Sequence, residues 1–157
     1  MSLDIQLAAP RLRELLGSLL NRDVVVSVID GVQDPHALAL YATGTGDTIG
    51  AVQCDCALTN FAGAALTMLP PTRVQESART GEVGQEIFEN ASEVLNVLAQ
   101  LFYEPRSAPV TLDSVTQSCA PRPNDALPTG LRKTPNHVAM RVEIPGYGAG
   151  TLGLTWV

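Results

Sequence analysis

The sequence predicts an α+β fold: a mostly antiparallel, six-stranded sheet with long helices packed on one face. The main observation is the order of the predicted elements, which is helix, three strands, helices, one strand, a long loop and two strands. Meanders separated by helices favour this class, and the strict strand–helix alternation of a doubly wound nucleotide-binding fold is missing. The chain has 157 residues, enough for one domain with a substantial core, so we expect residues 1–157 to form a single domain.

Composition limits the classes of function. Charged residues make up only 17% of the chain, below the roughly 25% of typical soluble domains, which predicts well-buried elements or a surface covered by a partner. The net charge of −6 argues against binding to nucleic acid or to an anionic membrane. The charged residues Arg11, Arg13 and Glu14 within the first twenty positions argue against a signal-peptide core, and an odd count of three cysteines then favours reduced thiols. We therefore expect a cytoplasmic protein with reduced thiols.

The first part of the chain predicts one helix and three strands. A face of leucines predicts a helix over roughly residues 4–21. The β-branched run at 23–29 predicts a buried strand. Alternating apolar residues predict strands at 36–43 and 48–58, and the glycines between these two strands favour a hairpin.

The middle of the chain predicts helices. Thr59 or Asn60 is a suitable N-cap for a helix that begins at Phe61 and stops before the two prolines at 70 and 71. A polar connection at 72–81 is able to hold a short helix. Thr80 is a suitable cap for the long helix that follows.

The last part of the chain predicts strands around a loop. We expect strands at 110–118, 137–144 and 151–157, with the last two paired as a hairpin. Prolines and a glycine predict an exposed loop at 120–136.

The longest helix signal lies at residues 84–102 and carries two stripes. Its apolar stripe consists of Ile87, Ala91, Val94, Leu98 and Leu101, and its polar stripe of Glu86, Glu89, Glu93, Asn96 and Gln100. Glu93 and Asn96 are three residues apart, so their polar groups emerge side by side on the face away from the core. Such a pair can orient one water molecule, although a polar stripe is more often only the solvated face of an amphipathic helix.

The segment 92–96, together with the order of elements, resembles the CheC/CheX/FliY family of chemotaxis phosphatases. The family motif is an acidic residue or Ser, three residues, Glu, two residues, Asn, and a Pro some twenty-odd residues later. Glu89, Glu93, Asn96 and Pro121 match it here. The single copy of the motif is similar to that of CheX.

The resemblance implies that the chain stimulates hydrolysis of the aspartyl phosphate on a CheY-type receiver domain. Asn96 would orient the attacking water, and Glu93 would pair with a lysine of the partner. Glu89 and Gln100 would contact the partner as well. The protein would need no cofactor of its own, because Mg²⁺ would belong to the receiver domain. The family also implies a possible homodimer through sheet edges.

A second function remains open, namely a non-catalytic CheX-like module for binding or oligomerisation. Leu95 and Val97 favour it, because bulky residues replace the small ones that often surround the motif Asn. The Glu93–Asn96 pair favours catalysis.

Other chemistry-bearing residues have simpler interpretations. We expect Cys54 and Cys56 to share one face of a strand as small buried residues, because a metal site needs more ligands than this segment offers. His36 and His137 each begin a predicted strand and are more often edge residues than ligands. No arrangement of Ser, His and Asp indicates a catalytic triad.

Overall fold

The computed structural model describes residues 3–32, 34–104, 108–117 and 123–157. In chain order its helices and strands are α1 (Ile5–Leu20), β1 (Val25–Ile29), β2 (Pro35–Thr43), β3 (Thr48–Asp55), α2 (Cys56–Leu66), α3 (Thr72–Thr80), α4 (Gln85–Val97), a 3-10 helix (Leu98–Phe102), β4 (Val110–Gln117), a second 3-10 helix (Pro123–Ala126), α5 (Thr129–Arg132), β5 (His137–Ile144) and β6 (Gly148–Trp156).

The strands of the described residues form one six-stranded antiparallel sheet in the order β1-β5-β6-β3-β2-β4. The predicted hairpin of the last two strands is confirmed, although β6 begins at Gly148 rather than at residue 151. The α+β class and the antiparallel sheet are therefore confirmed.

The main core lies between one face of the sheet and the layer of α1, α2 and α4. Alternate side chains of the strands enter it, among them Tyr41, Val52, Met140 and Leu154. A smaller apolar cluster lies on the opposite face, where Leu127, just before α5, and Leu131 of α5 pack against Leu38 and Ala51 of the sheet. The long helices thus share one face, as predicted.

The prediction that the first strand is buried is wrong. β1 pairs with β5 along one side and is the first strand of the sheet, so its other side is an edge. Val25 is 51% exposed and Val28 is 60% exposed. The β-branched run indicated a strand correctly, but propensity does not say whether a strand lies at the centre or at the edge of a sheet.

The predicted cap of α2 is also wrong, because this helix starts five residues earlier. Asp55 is the N-cap residue, and its Oδ1 accepts the N–H of Leu58 at 2.8 Å. Its Oδ2 accepts both the N–H and the hydroxyl of Thr151, each at 3.0 Å. Cys54 therefore lies in β3 while Cys56 opens α2, so the two thiols do not share a strand face.

The connection to the long helix is a helix itself. α3 fills the polar stretch as expected, and it includes Thr80 as its last residue. The predicted capping role of Thr80 is therefore wrong, and the N-cap residue of α4 is Gly84. The long helix itself was predicted at the right place.

Candidate functional site on helix α4

The predicted stripes of α4 are both observed. Ile87, Ala91, Val94 and Leu95 are buried against the core. Glu86, Glu89, Glu93, Asn96 and Gln100 are exposed. The helix is not regular throughout: it changes to 3-10 geometry at Leu98, so Gln100 lies beyond the α-helical part. The structure thus brings Glu93 and Asn96 to one exposed α-helical face, with Glu89 one turn earlier.

The bulk expected beside Asn96 lies elsewhere. Leu95 is only 3% exposed and belongs to the core, and Val97 is half-buried. Among the described residues, no side chain hydrogen-bonds the carboxylate of Glu93 or the amide of Asn96. Both polar groups are therefore open to a partner. The motif position assigned to Pro121 lies outside the described residues.

The first half of α4 is fixed against α2. Asn90 donates from Nδ2 to the carbonyl of Gly63 at 3.1 Å and to the hydroxyl of Thr67 at 3.0 Å. The two helices approach so closely that a Cβ on Gly63 would lie 2.5 Å from the carbonyl oxygen of Ile87. Any side chain at position 63 would force the helices apart.

The last turn of α4 is fixed against the sheet. The hydroxyl of Tyr41 in β2 donates to the carbonyl of Leu95 at 2.6 Å, one residue before Asn96. Tyr41 is fully buried, and burial raises the pKa of its hydroxyl well above the usual value, so the group stays a proton donor. Its ring packs on Phe102 at a centroid distance of 4.8 Å, and Phe102 in turn occupies the space above Gly50.

Asn90 and Tyr41 therefore position the candidate site, and sequence patterns did not reveal either of them. Asn90 is adjacent to the polar stripe and resembles one more solvated residue. Tyr41 belongs to an apolar strand pattern that explains it as core. Their roles depend on contacts between residues 23 and 54 positions apart, which no local pattern encodes.

The site is strongly acidic. The α-helical part of α4 contains three glutamates and no lysine or arginine. The carboxylate of Glu86 lies 3.6 Å from the guanidinium of Arg73, and both side chains are more than half exposed. Glu89 accepts a hydrogen bond from the amide of Gln85 at 3.3 Å. We call the exposed glutamates of α4, namely Glu86, Glu89 and Glu93, the acidic ridge. Such a surface suits binding to a cationic protein surface better than binding to a small enclosed ligand.

Comparison of the chain with solved structures identifies its fold. A chain from the FliM–SpeE complex of H. pylori is similar with a TM-score of 0.64 at 11% identity, covering 94% of this chain and 80% of that one. A chain from the CheX–CheY–BeF3–Mg²⁺ complex of Borrelia burgdorferi is similar with a TM-score of 0.54 at 8% identity, covering 96% of this chain and 96% of that one. FliY from Thermotoga maritima is similar with a TM-score of 0.54 at 12% identity, covering 95% and 83%.

The chain has the CheC/CheX/FliY fold.

This fold confirms the structural expectation raised by the resemblance. No family model and no curated protein matches the sequence. At identities of 8 to 12%, the similarity shows the fold of the backbone. It does not assign a function, because function depends on the residues of the site. In the part of the chain that the structure describes, no helix is both long and apolar enough to cross a membrane.

Proposed function

We propose that the protein is a CheX-like phosphatase that stimulates hydrolysis of the aspartyl phosphate on a CheY-type receiver domain. The observation that carries the proposal is the Glu93–Asn96 pair, exposed side by side on a helix that is fixed at Asn90 and again at Leu95. A structural neighbour of the same fold, CheX from Borrelia burgdorferi, is seen in complex with CheY, and this likeness supports the choice of partner.

The chemistry requires little from the phosphatase. An aspartyl phosphate is an acyl phosphate that hydrolyses by itself, so a helper protein needs only to place water in line with the phosphorus–oxygen bond. The amide of Asn96 can accept and donate hydrogen bonds without titrating, as a Gln does in GTPases. Mg²⁺ would be held by the receiver domain and neutralise charge on the phosphoryl group, so this chain would supply no cofactor.

The neighbouring residues would dock the partner. Glu93 would pair with a lysine of the receiver and fix the register of the two proteins. Glu89 lies one turn earlier and Gln100 follows in the 3-10 helix, so both would contact the receiver at the margins of the site. On this proposal both proteins work in the cytoplasm, away from nucleic acid and membrane.

Phosphate release from a phosphorylated receiver domain of the same organism tests the proposal. We expect the wild-type protein to accelerate release and Asn96→Ala to lose at least about 90% of the acceleration, because the water is no longer oriented. Gln6→Ala on α1 removes another exposed amide and should leave the rate unchanged. An Asn96→Ala variant as fast as wild type would contradict the assignment.

A second candidate function is a non-catalytic module for binding or oligomerisation. The free edge of β1 favours it, since its sequence Val-Val-Ser-Val-Ile carries no charge or proline, and its pairing with β5 runs without a bulge. Edges without such protection pair readily with another strand. On this proposal two copies associate through β1 as a homodimer, and Asn96→Ala changes no activity.

A further inference from the structure

Helix α2 ends in a backbone motif that normally uses glycine. The N–H of Met68 bonds to the carbonyl of Ala65 at 3.2 Å, and the N–H of Leu69 bonds to the carbonyl of Ala64 at 2.9 Å. This is the pair of hydrogen bonds of a Schellman motif, with Met68 at the position that adopts left-handed geometry. Its φ is +56°.

Met68 is an unfavourable residue for this position. A side chain with a Cβ is strained in the left-handed region, whereas glycine adopts it freely. Packing does not compensate for the strain, since Met68 is 79% exposed. A single exposed apolar residue is common and needs no special explanation, but an exposed methionine on a strained backbone does, because strain of this kind often accompanies function.

The surrounding structure holds Met68 in place. The carbonyl of Leu69 accepts a hydrogen bond from the hydroxyl of Tyr147 at 2.6 Å, and the side chain of Leu69 packs against the main core. On the other side, the hydroxyl of Thr67 accepts the amide of Asn90 at 3.0 Å. With both neighbours fixed, the backbone presents Met68 outward at one defined point.

That point borders the candidate site. Thr67, adjacent to Met68, contacts Asn90 of α4, and Asn90 lies one helical turn from both Glu86 and Glu93. The surface therefore combines an exposed, flexible apolar side chain with a ridge of carboxylates. Interfaces commonly use such a combination, in which an apolar anchor fills a recess and charges around it set the orientation.

We propose that Met68 is an apolar anchor that binds the receiver domain of the proposed reaction, inserting into an apolar recess that lies beside cationic side chains of that domain. The inference rests on the proposed function and assigns part of its specificity to a residue outside α4. The acidic ridge and the absence of lysine and arginine from the α-helical part of α4 support a partner surface of positive charge.

Met68→Gly separates a docking role from a structural one. Glycine suits a φ of +56°, so we expect this variant to unfold at a temperature a few degrees higher than wild type. We expect its KM for the phosphorylated receiver to rise at least fivefold while kcat stays unchanged, because the anchor is lost and the water-orienting residue remains. Met68→Leu keeps an apolar side chain and should retain most of the affinity.

Ile5→Gln serves as the control, because Ile5 is another large apolar residue, 49% exposed, on α1. It should leave KM unchanged. Equal KM values for wild type and Met68→Gly, in a preparation that accelerates phosphate release, would overturn the role of Met68 and leave the proposed function standing.

A binding measurement separates the two proposals if no acceleration is seen. Calorimetry would measure the affinity of wild type and Met68→Gly for a receiver domain activated with beryllofluoride and Mg²⁺. If wild type binds without accelerating hydrolysis and Met68→Gly binds at least fivefold more weakly, the docking role holds and the phosphatase function fails. If wild type does not bind the activated receiver at all, both are overturned.

Discussion

Tyr41 connects the interior of the sheet to the candidate site through one hydrogen bond. Its hydroxyl donates to the Leu95 carbonyl, and that carbonyl precedes Asn96 near the point where the α-helix gives way to 3-10 geometry. A residue that never reaches the surface therefore sets the backbone from which the amide of Asn96 projects. A site that must orient one water depends on such support as much as on its own side chains.

Tyr41→Phe should loosen the end of α4 without unfolding the protein. The change removes a buried hydrogen bond, so we expect the free energy of unfolding to fall by about 0.5–1.5 kcal/mol. Amide hydrogen exchange around residues 94–98 should accelerate. Urea unfolding and hydrogen exchange with mass spectrometry measure the two effects.

Tyr147→Phe is the matched control, since it also removes a hydroxyl that donates to a backbone carbonyl at 2.6 Å, but at Leu69. It should lower stability to a similar extent without changing exchange at the end of α4. Equal protection of residues 94–98 in wild type and Tyr41→Phe would contradict the positioning role.

His36 should make the fold sensitive to mild acid. Its Nε2 is buried without a hydrogen-bond partner among the described residues, and burial lowers the pKa of the ring from its usual 6.5. Since the unfolded chain binds the proton more readily, the free energy of unfolding should fall as pH drops below about 6.5. His36→Gln should lose less stability than wild type between pH 7 and pH 5 in urea unfolding. Equal losses of unfolding free energy in the two proteins would show that His36 does not cause the acid sensitivity.

At the scale of elements, the sequence was most informative where a periodic pattern is long. The two stripes of α4 predicted which of its residues are exposed, and the hairpin of β5 and β6 followed from alternation and turn residues. The helix starts were less predictable. Thr59 and Asn60 are good capping residues by type, yet both are buried in the first turns of α2, where Thr59 donates to the carbonyl of Asp55.

The reason is that Asp55 has a tertiary partner. Its carboxylate caps α2 and at the same time accepts two hydrogen bonds from Thr151 in β6, and this contact spans 96 positions of the chain. Capping preferences of residue types are local, so they do not predict a helix start that depends on a tertiary contact. The same limit applies to the candidate site, where the motif residues were visible in the sequence but the supports at Tyr41 and Asn90 were not.

At the scale of the whole molecule, the two edges of the sheet differ. β1 is an apolar edge with Val25 and Val28 exposed, whereas β4 carries Asp113 and its pairing with β2 contains a register shift. Charges and bulges protect an edge against pairing, and uncharged regular edges lack this protection. The asymmetry favours β1 as the place where a second copy would bind.

Val28→Lys should therefore weaken self-association through β1. A charge on this exposed edge opposes strand pairing, while a position that is 60% exposed tolerates the longer side chain. Sedimentation velocity over a range of concentrations should show a dimer in wild type and a shift of at least tenfold toward the monomer in the variant. Thr111→Lys places the same charge on β4 and should leave association unchanged, and an equal shift in both variants would argue against the β1 edge.

The strand order has a consequence for how the chain folds. β6 is the strand that joins β5 to β3, so without it the sheet would consist of two separate parts, β1-β5 and β3-β2-β4. It is also the last strand in chain order, and its pairing with β3 closes a long stretch of intervening chain. Loop closure of this length slows folding. We therefore expect the surface that presents Asn96 to be completed late, because α2 supports α4 and the carboxylate that caps α2 is held by Thr151 of β6.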